Sequence, residues 1–202
     1  MATTQALPLF PLHGVLLPGA ALGLRVFEAR YLDLVRECGR SGGSFGVCLI
    51  LDGEEVGVPA TPAAWGVEAR IEDFDMGSDG VLQLKLRGLR RFQVLKTRVR
   101  DNGLVIGEVQ WRLPDHDDEL RPEHALLAIL LEHILEHAGS TLAGSGQAQM
   151  DHAAWVGWRL AELLPLAEEQ RLLLLQEDDA HQRLDHLLAW IPDFEPPAED
   201  DL

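Results

Sequence analysis

The prevailing spacing of apolar residues along this chain changes across residues 114–122. Before that stretch they recur at every second position, as a half-buried strand requires. After it they recur at helical intervals. Val67, Ala69 and Ile71 alternate with Glu68, Arg70 and Glu72, and Leu82, Leu84 and Leu86 alternate with Gln83, Lys85 and Arg87. Residues 22–27, the continuous apolar run 45–51, residues 92–99 and residues 104–111 predict further strands. Asp101-Asn102-Gly103 supplies a hairpin turn between the last two. Residues 7–12 are apolar as well, but Pro8 and Pro11 limit them to an edge or irregular strand. One helix interrupts this half, at 28–38, with Gly39 beyond its end. Short strands with turns at these intervals predict a small barrel or sandwich.

Behind the break the pattern is helical. Residues 123–138 carry Leu126, Leu127, Leu130 and Ile134 as an apolar stripe. Asp151 is a candidate N-cap for a helix running to Leu164, residues 168–176 form another, and Asp179 can cap a last one at 180–191. The chain therefore divides into a β-rich part at 1–113, a polar linker at 114–122 and helices at 123–192. A small-residue loop at 139–147 is expected to be mobile, and an acidic tail at 193–202 disordered. The fold class is α+β.

Charge follows the same division. The front part holds 13 acidic and 13 basic residues, so the whole net charge of −16 resides behind residue 113. Such a field repels phosphate backbones. The N-terminal stretch has no basic segment ahead of its apolar residues, and the densest apolar run, 125–131, is too short to span a bilayer. These features predict a cytoplasmic chain without membrane contact. Two cysteines, Cys38 and Cys48, are too few for a disulfide scaffold or a zinc site.

Within 7–35 the order of motifs becomes specific. Pro8-Leu9-Phe10-Pro11-Leu12 is followed by a Pro18-Gly19 turn, an apolar strand, and Phe27-Glu28-Ala29-Arg30-Tyr31 entering a helix. A buried strand FGVCLI, a WGVEARI strand and a strand-Gly88-x-x-Arg91-Phe92 segment come next, then the closing helices from Trp158 to Leu188. This succession resembles the N-terminal, substrate-binding domain of Lon proteases over residues 7–188. Val67 stands where that family usually has threonine. The resemblance implies a PUA-like β pseudo-barrel followed by a C-terminal helical bundle. It implies a stand-alone module that binds unfolded or extended polypeptides, or a partner protein, and performs no chemistry. The signature residues Pro8, Phe10, Pro11, Pro18, Gly19, Phe27, Glu28, Arg30, Tyr31, Gly88, Arg91 and Phe92 are then expected to be structural. Glu28 suits the first turn of a helix, Tyr31 packs inward with its hydroxyl hydrogen-bonded, and Arg30 pairs with a carboxylate.

The residues agree with the absence of catalysis. A Walker loop needs a Gly-Lys pair, and none occurs. A Ser–Lys dyad needs a desolvated lysine, whereas the two lysines, Lys85 and Lys96, fall on polar strand faces. No cofactor motif is present. His133 and His137 stand four apart, and His116 has acidic neighbours, but both read as solvated polar segments, so no metal is expected. Candidate binding residues are Trp65 and Trp111 near strand ends, and Trp155, Trp158 and Arg159 away from the apolar stripe of their helix. Burial against neighbouring helices is the plainer reading of Trp155 and Trp158. The stretch 85–100 holds Lys85, Arg87, Arg90, Arg91, Lys96, Arg98 and Arg100 with no acid between them. Its plain reading is a solvated face. A second reading opposes it to the acidic helices or an acidic partner, and the alternative function is a PUA-like nucleic-acid or nucleotide binder. Sparse aromatics and the attached negative charge weigh against nucleic acid.

Overall fold

The structure, a computed structural model, describes residues 4–116, 118–137 and 149–191. The loop at 139–147 and the tail at 193–202 lie outside the described residues. Six strands form one sheet: β1 (Thr4–Leu12), β2 (Ala21–Val26), β3 (Phe45–Asp52), β4 (Thr61–Met76), β5 (Leu82–Val99) and β6 (Val105–Trp111). Five α-helices are described: α1 (Ala29–Ser41), α2 (Ala125–His137), α3 (Ala153–Leu163), α4 (Glu168–Gln176) and α5 (Ala180–Trp190), with a 3-10 turn at Pro122–His124 before α2. The fold is α+β. Among the described residues no helix is long and apolar enough to cross a membrane.

The strand order is β2-β5-β4-β3-β1-β6, and β6 also pairs with β5. Five strands thus close a ring of hydrogen bonds, and β2 is attached outside it. The 18-residue β5 makes this possible, because one of its sides serves two neighbours in succession. β2 pairs with Leu82–Arg87, and β6 pairs with Phe92–Val99. The short strands expected at 81–86 and 92–99 are therefore one strand. Its ladders with β4 and β6 carry register shifts.

β1 is an interior strand, so of the two readings its prolines allowed, edge or irregular, the edge is excluded. Its two neighbours are staggered: β6 runs along Thr4–Leu9 and parallel β3 along Leu9–Leu12. Pro8 therefore faces only the β6 ladder and Pro11 only the β3 ladder, so neither missing N–H breaks a doubly paired position. Inside the ring Leu7, Leu9, Cys48, Phe92, Val105 and Val109 form one buried cluster. Phe92 takes space that two glycines concede. A Cβ at Gly46 or Gly66 would stand 2.5 or 2.7 Å from its ring.

Two compact units divide the chain: residues 1–114 with 168–176, and residues 115–167 with 177–202. The helix expected third among the closing helices, α4, thus clusters with the sheet. Within this first unit Arg91 donates to the Leu175 carbonyl at 2.9 Å, and Val15 N–H donates to Glu168 at 2.7 Å. α1 runs three residues past Cys38 and ends at Gly42, whose φ of 66° supplies the left-handed cap expected at Gly39.

The second unit is built from α2, α3 and α5. α3 packs against α5 at Gly157, where Leu184 lies 3.6 Å from the position of a Cβ. Asp179 caps α5, accepting from the N–H groups of His181 and Gln182. His152, not Asp151, is the N-cap of α3. The buried stripe of α2 is Leu127, Leu131 and Leu135, while Leu126 is exposed. This differs from the expected stripe because the segment is apolar on nearly every face, so periodicity alone selects none. Asp115, Asp118 and Leu120 are tied into this unit. Leu120 N–H donates to Asp151 O, Ala153 N–H to Asp118 O, and Arg183 and Trp158 both bind the Asp115 carboxylate at 2.7 Å.

Candidate functional site

The alternation of β2, β5 and β4 sets one apolar face across three strands. Leu24, Leu84 and Phe74 stand in one cross-strand row, and Val26, Leu82 and Met76 in the next. Val26 and Leu84 are buried, but the rows run outward to Phe74 and Met76, which are 69% and 63% exposed. Phe27 follows Val26 directly and is 58% exposed. Three large apolar side chains thus stand in water at one end of the sheet, a feature that marks interaction surfaces. A groove of about 530 Å³ crosses the same strands at Gly23–Arg25, Gln83–Lys85 and Asp73–Asp75. The turn beyond is fixed by Gly77 N–H donating to Val81 O and by Gly80 at a φ of 77°. Asp79 of that turn pairs with Arg25 of β2.

The basic stretch is largely neutralised inside the sheet unit. Lys85 meets Asp73 at 3.5 Å, Arg87 holds Glu72 through two bonds of 3.1 Å, Arg90 reaches Glu68 at 2.8 Å, and Arg100 reaches Glu37 at 3.2 Å. Burial alone would raise the Glu68 carboxyl, but hydrogen bonds from Arg90 and Ser44 outweigh it and hold the group below its ordinary value. The Arg87 guanidinium likewise lowers Glu72. Lys96 and Arg98 line a separate depression of about 410 Å³ with Thr4, Gln5 and Glu108.

The expected tryptophans do not form one surface. Trp65 is level with Gln93, while Trp111 is level with Phe92, so the register puts them on opposite faces of the sheet. Both are half-buried with an arginine over the ring, Arg112 at 5.3 Å for Trp65 and Arg90 at 4.1 Å for Trp111. Trp158 and Arg159 are buried, each 5% exposed, which removes them from any open surface. Trp158 donates to Asp115 and lies under Arg183 at 4.2 Å, and Arg159 pairs with Glu162. Trp155 is half-buried and borders a shallow hollow with Asp115, His116 and His152. His133 and His137 are exposed neighbours, and among the described residues no group of histidine, cysteine and carboxylate side chains could hold a metal.

The signature residues fall at points where packing is tight. Phe10 stacks on Tyr31 with ring centroids 3.7 Å apart. The expected Tyr31 hydroxyl bond is not among its contacts in the described residues; its ring packs against Phe10 and the Arg30 guanidinium instead. Burial pushes the Tyr31 phenol up, with Arg30 pulling the other way. Arg30 finds its carboxylate in Glu28 at 2.8 Å and also donates to Gly103 O. Glu28 is the N-cap residue of α1, and its carboxylate accepts from Gly57 N–H as well. Gly19 N–H donates to Gly88 O, and a Cβ on Gly88 would stand 2.2 Å from Leu17 O. The Pro18-Gly19 turn and Gly88, far apart in sequence, are one contact. Phe27 departs from its expected structural role, since most of its side chain is in water. Phe74 and Met76 were missed by sequence reasoning, although their alternation with Asp73 and Asp75 was a usable signal.

A closed sheet carrying an open apolar end defines a binding module. The chain belongs to the family of the ATP-dependent protease La (LON) substrate-binding domain, which matches residues 6–193. It is similar to the crystal structure of Lon N-terminal domain protein from Xanthomonas campestris, with 66% identity over 92% of this chain and 98% of that one, at a TM-score of 0.79. The N-terminal domain of Mycobacterium avium complex Lon protease shares the fold at 17% identity, covering 95% and 100% of the two chains with a TM-score of 0.69. No curated protein matches the chain.

Proposed function

We propose that this chain recognises unfolded or extended polypeptides through the apolar end of its sheet, without ATPase or protease chemistry of its own. The observation that carries this reading is the exposure of Phe74 and Met76 on one face at the end of β4, with Phe27 exposed just beyond β2. Apolar side chains held in water on a rigid sheet gain by covering apolar segments that a folded protein would hide. The family's description as a substrate-binding domain supports it. The ring of strand pairings supports the finer description of the sheet unit as a PUA-like pseudo-barrel, and the packing of α2, α3 and α5 supports that of a helical bundle. The chain is read as cytoplasmic on the sequence grounds given above. Trp155 is a secondary candidate contact.

Fluorescence anisotropy with a labelled, reduced and carboxymethylated protein tests the proposal. Wild type should bind it, and the double substitution Phe74→Ser with Met76→Ser should weaken binding about tenfold. Their exposure leaves folding stability nearly unchanged. Absence of wild-type binding at high micromolar concentration, or equal binding by the variant, would count decisively against it.

A further inference from the structure

β2 pairs with β5 alone, so one long side of it has no partner strand among the described residues. The phase of its hydrogen bonds follows from the adjoining turn. Gly88 N–H donates to Ala20 O at 2.9 Å, and the register continues as Ala21 opposite Arg87 through Val26 opposite Leu82. In an antiparallel ladder alternate residues bond to the neighbour, so Leu22, Leu24 and Val26 face β5. The N–H and C=O groups of Ala21, Gly23 and Arg25 point to the open side.

Strand edges in proteins are usually defended by prolines, lysines, bulges or cover. β2 contains no proline and no lysine, and its ladder with β5 runs without a register shift. Its single charge, Arg25, pairs with Asp79 of its own sheet's turn. Ala21 and Gly23 are exposed, and a Cβ at Gly23 would meet nothing within 4 Å. On the other face Leu22 and Leu24 are half-buried, which leaves an apolar row for an added strand to extend.

The geometry points to β2 as a docking edge on which a polypeptide substrate adds as a further strand, bonded through its backbone to Ala21, Gly23 and Arg25. This rests on the polypeptide-binding reading and adds how the segment is held. The occupant is an extended, proline-free segment with apolar side chains at alternate positions, set beside Leu22 and Leu24. A second copy of this chain is the competing occupant, told apart by the oligomeric state; the family's description as the substrate-binding domain of a protease favours a polypeptide substrate. Backbone recognition of this kind is indifferent to sequence, since every non-proline residue offers the same two groups.

The test uses a short peptide of alternating valine and threonine flanked by lysines, and two isomers N-methylated at odd or at even positions. Strand addition predicts that one isomer binds wild type about tenfold more weakly than the parent peptide, while the other stays within about twofold. Gly23→Pro, which removes one outward donor, should weaken the parent similarly. Equal binding by both isomers and the parent overturns the inference, and so does binding of the carboxymethylated protein without binding of the parent peptide. In either case the polypeptide-binding reading survives. Failure of wild type to bind either probe removes both. If wild type dimerises in sedimentation equilibrium and Gly23→Pro makes it monomeric, the edge belongs to a second copy and the inference is overturned.

Discussion

Gly88 lies so close to Leu17 that a methyl group on it would stand 2.2 Å from the Leu17 carbonyl oxygen. The neighbour is backbone, pinned by the Gly19 and Gly88 bonds on either side, and cannot turn away. Gly88→Ala should therefore lower unfolding stability by about 2–4 kcal/mol, in the range of overpacking and backbone strain. Gly14→Ala is the control, because nothing lies within 4 Å of a Cβ there. Urea denaturation midpoints compare the two. Equal midpoints would mean the turn and the strand do not touch as described.

Asp115 should be the most sensitive carboxylate of the helical unit. It accepts from Arg183, which is 1% exposed, and from the Trp158 indole. Asp115→Ala takes a carboxylate at 2.7 Å away from a buried guanidinium, at a cost of about 3–5 kcal/mol. Arg183→Met should cost less, and the double variant should be more stable than the sum of the two losses predicts. Thermal unfolding of the four proteins gives the coupling; additivity within error would contradict the pairing.

Acid should weaken the sheet unit through Glu68. Its carboxyl is held below the ordinary value of 4.5 in the folded chain. A lowered folded pKa means the unfolded chain binds the proton more readily, so the stabilisation is complete above the ordinary value and fades as pH falls through the lowered one. The stability gap between wild type and Glu68→Gln should be widest above about pH 5 and shrink below it. A gap that stays constant down to acid unfolding would exclude the Arg90–Glu68 bond as its source.

Both thiols should be slow. Cys38 and Cys48 are buried, and burial pushes each thiol up, Cys48 most strongly. A native-state titration with a chromogenic disulfide should register neither within minutes, and both in urea. Rapid native reaction would show that the β3 core opens readily.

Much of the front half was legible because alternation survives in single residues: Leu84 and Leu86 are buried and Leu82 half-buried, on the side their spacing required. The Asp101-Asn102-Gly103 turn was equally plain, and Gly103 has the expected positive φ of 82°. What could not be read depends on register. Seven basic residues within 85–100 looked like a patch until Asp73, Glu72 and Glu68 of β4 were brought beside Lys85, Arg87 and Arg90. Pro8 and Pro11 looked like edge markers because the stagger of β3 against β6 is set by residues 37 to 106 positions away. The partners of Trp158 and Arg159 come from distant parts of their own unit or from the next helical turn, so no local pattern announced their burial. Phe74 and Met76 were overlooked because an exposed apolar position looks, in sequence, like a buried one.

The sheet unit is discontinuous: α4 joins it from beyond a stretch of 53 residues that belongs to the other unit. This bears on synthesis. A ribosome delivers β1 first, yet its antiparallel neighbour β6 arrives about a hundred residues later, since Thr4 lies opposite Gln110. The acceptor that Leu175 offers Arg91 arrives later still. Parallel β3 can cover Leu9–Leu12 of β1 early. The ring itself cannot close until β6 arrives to cover Thr4–Leu9, and that interval is when the nascent chain is most open to mispairing.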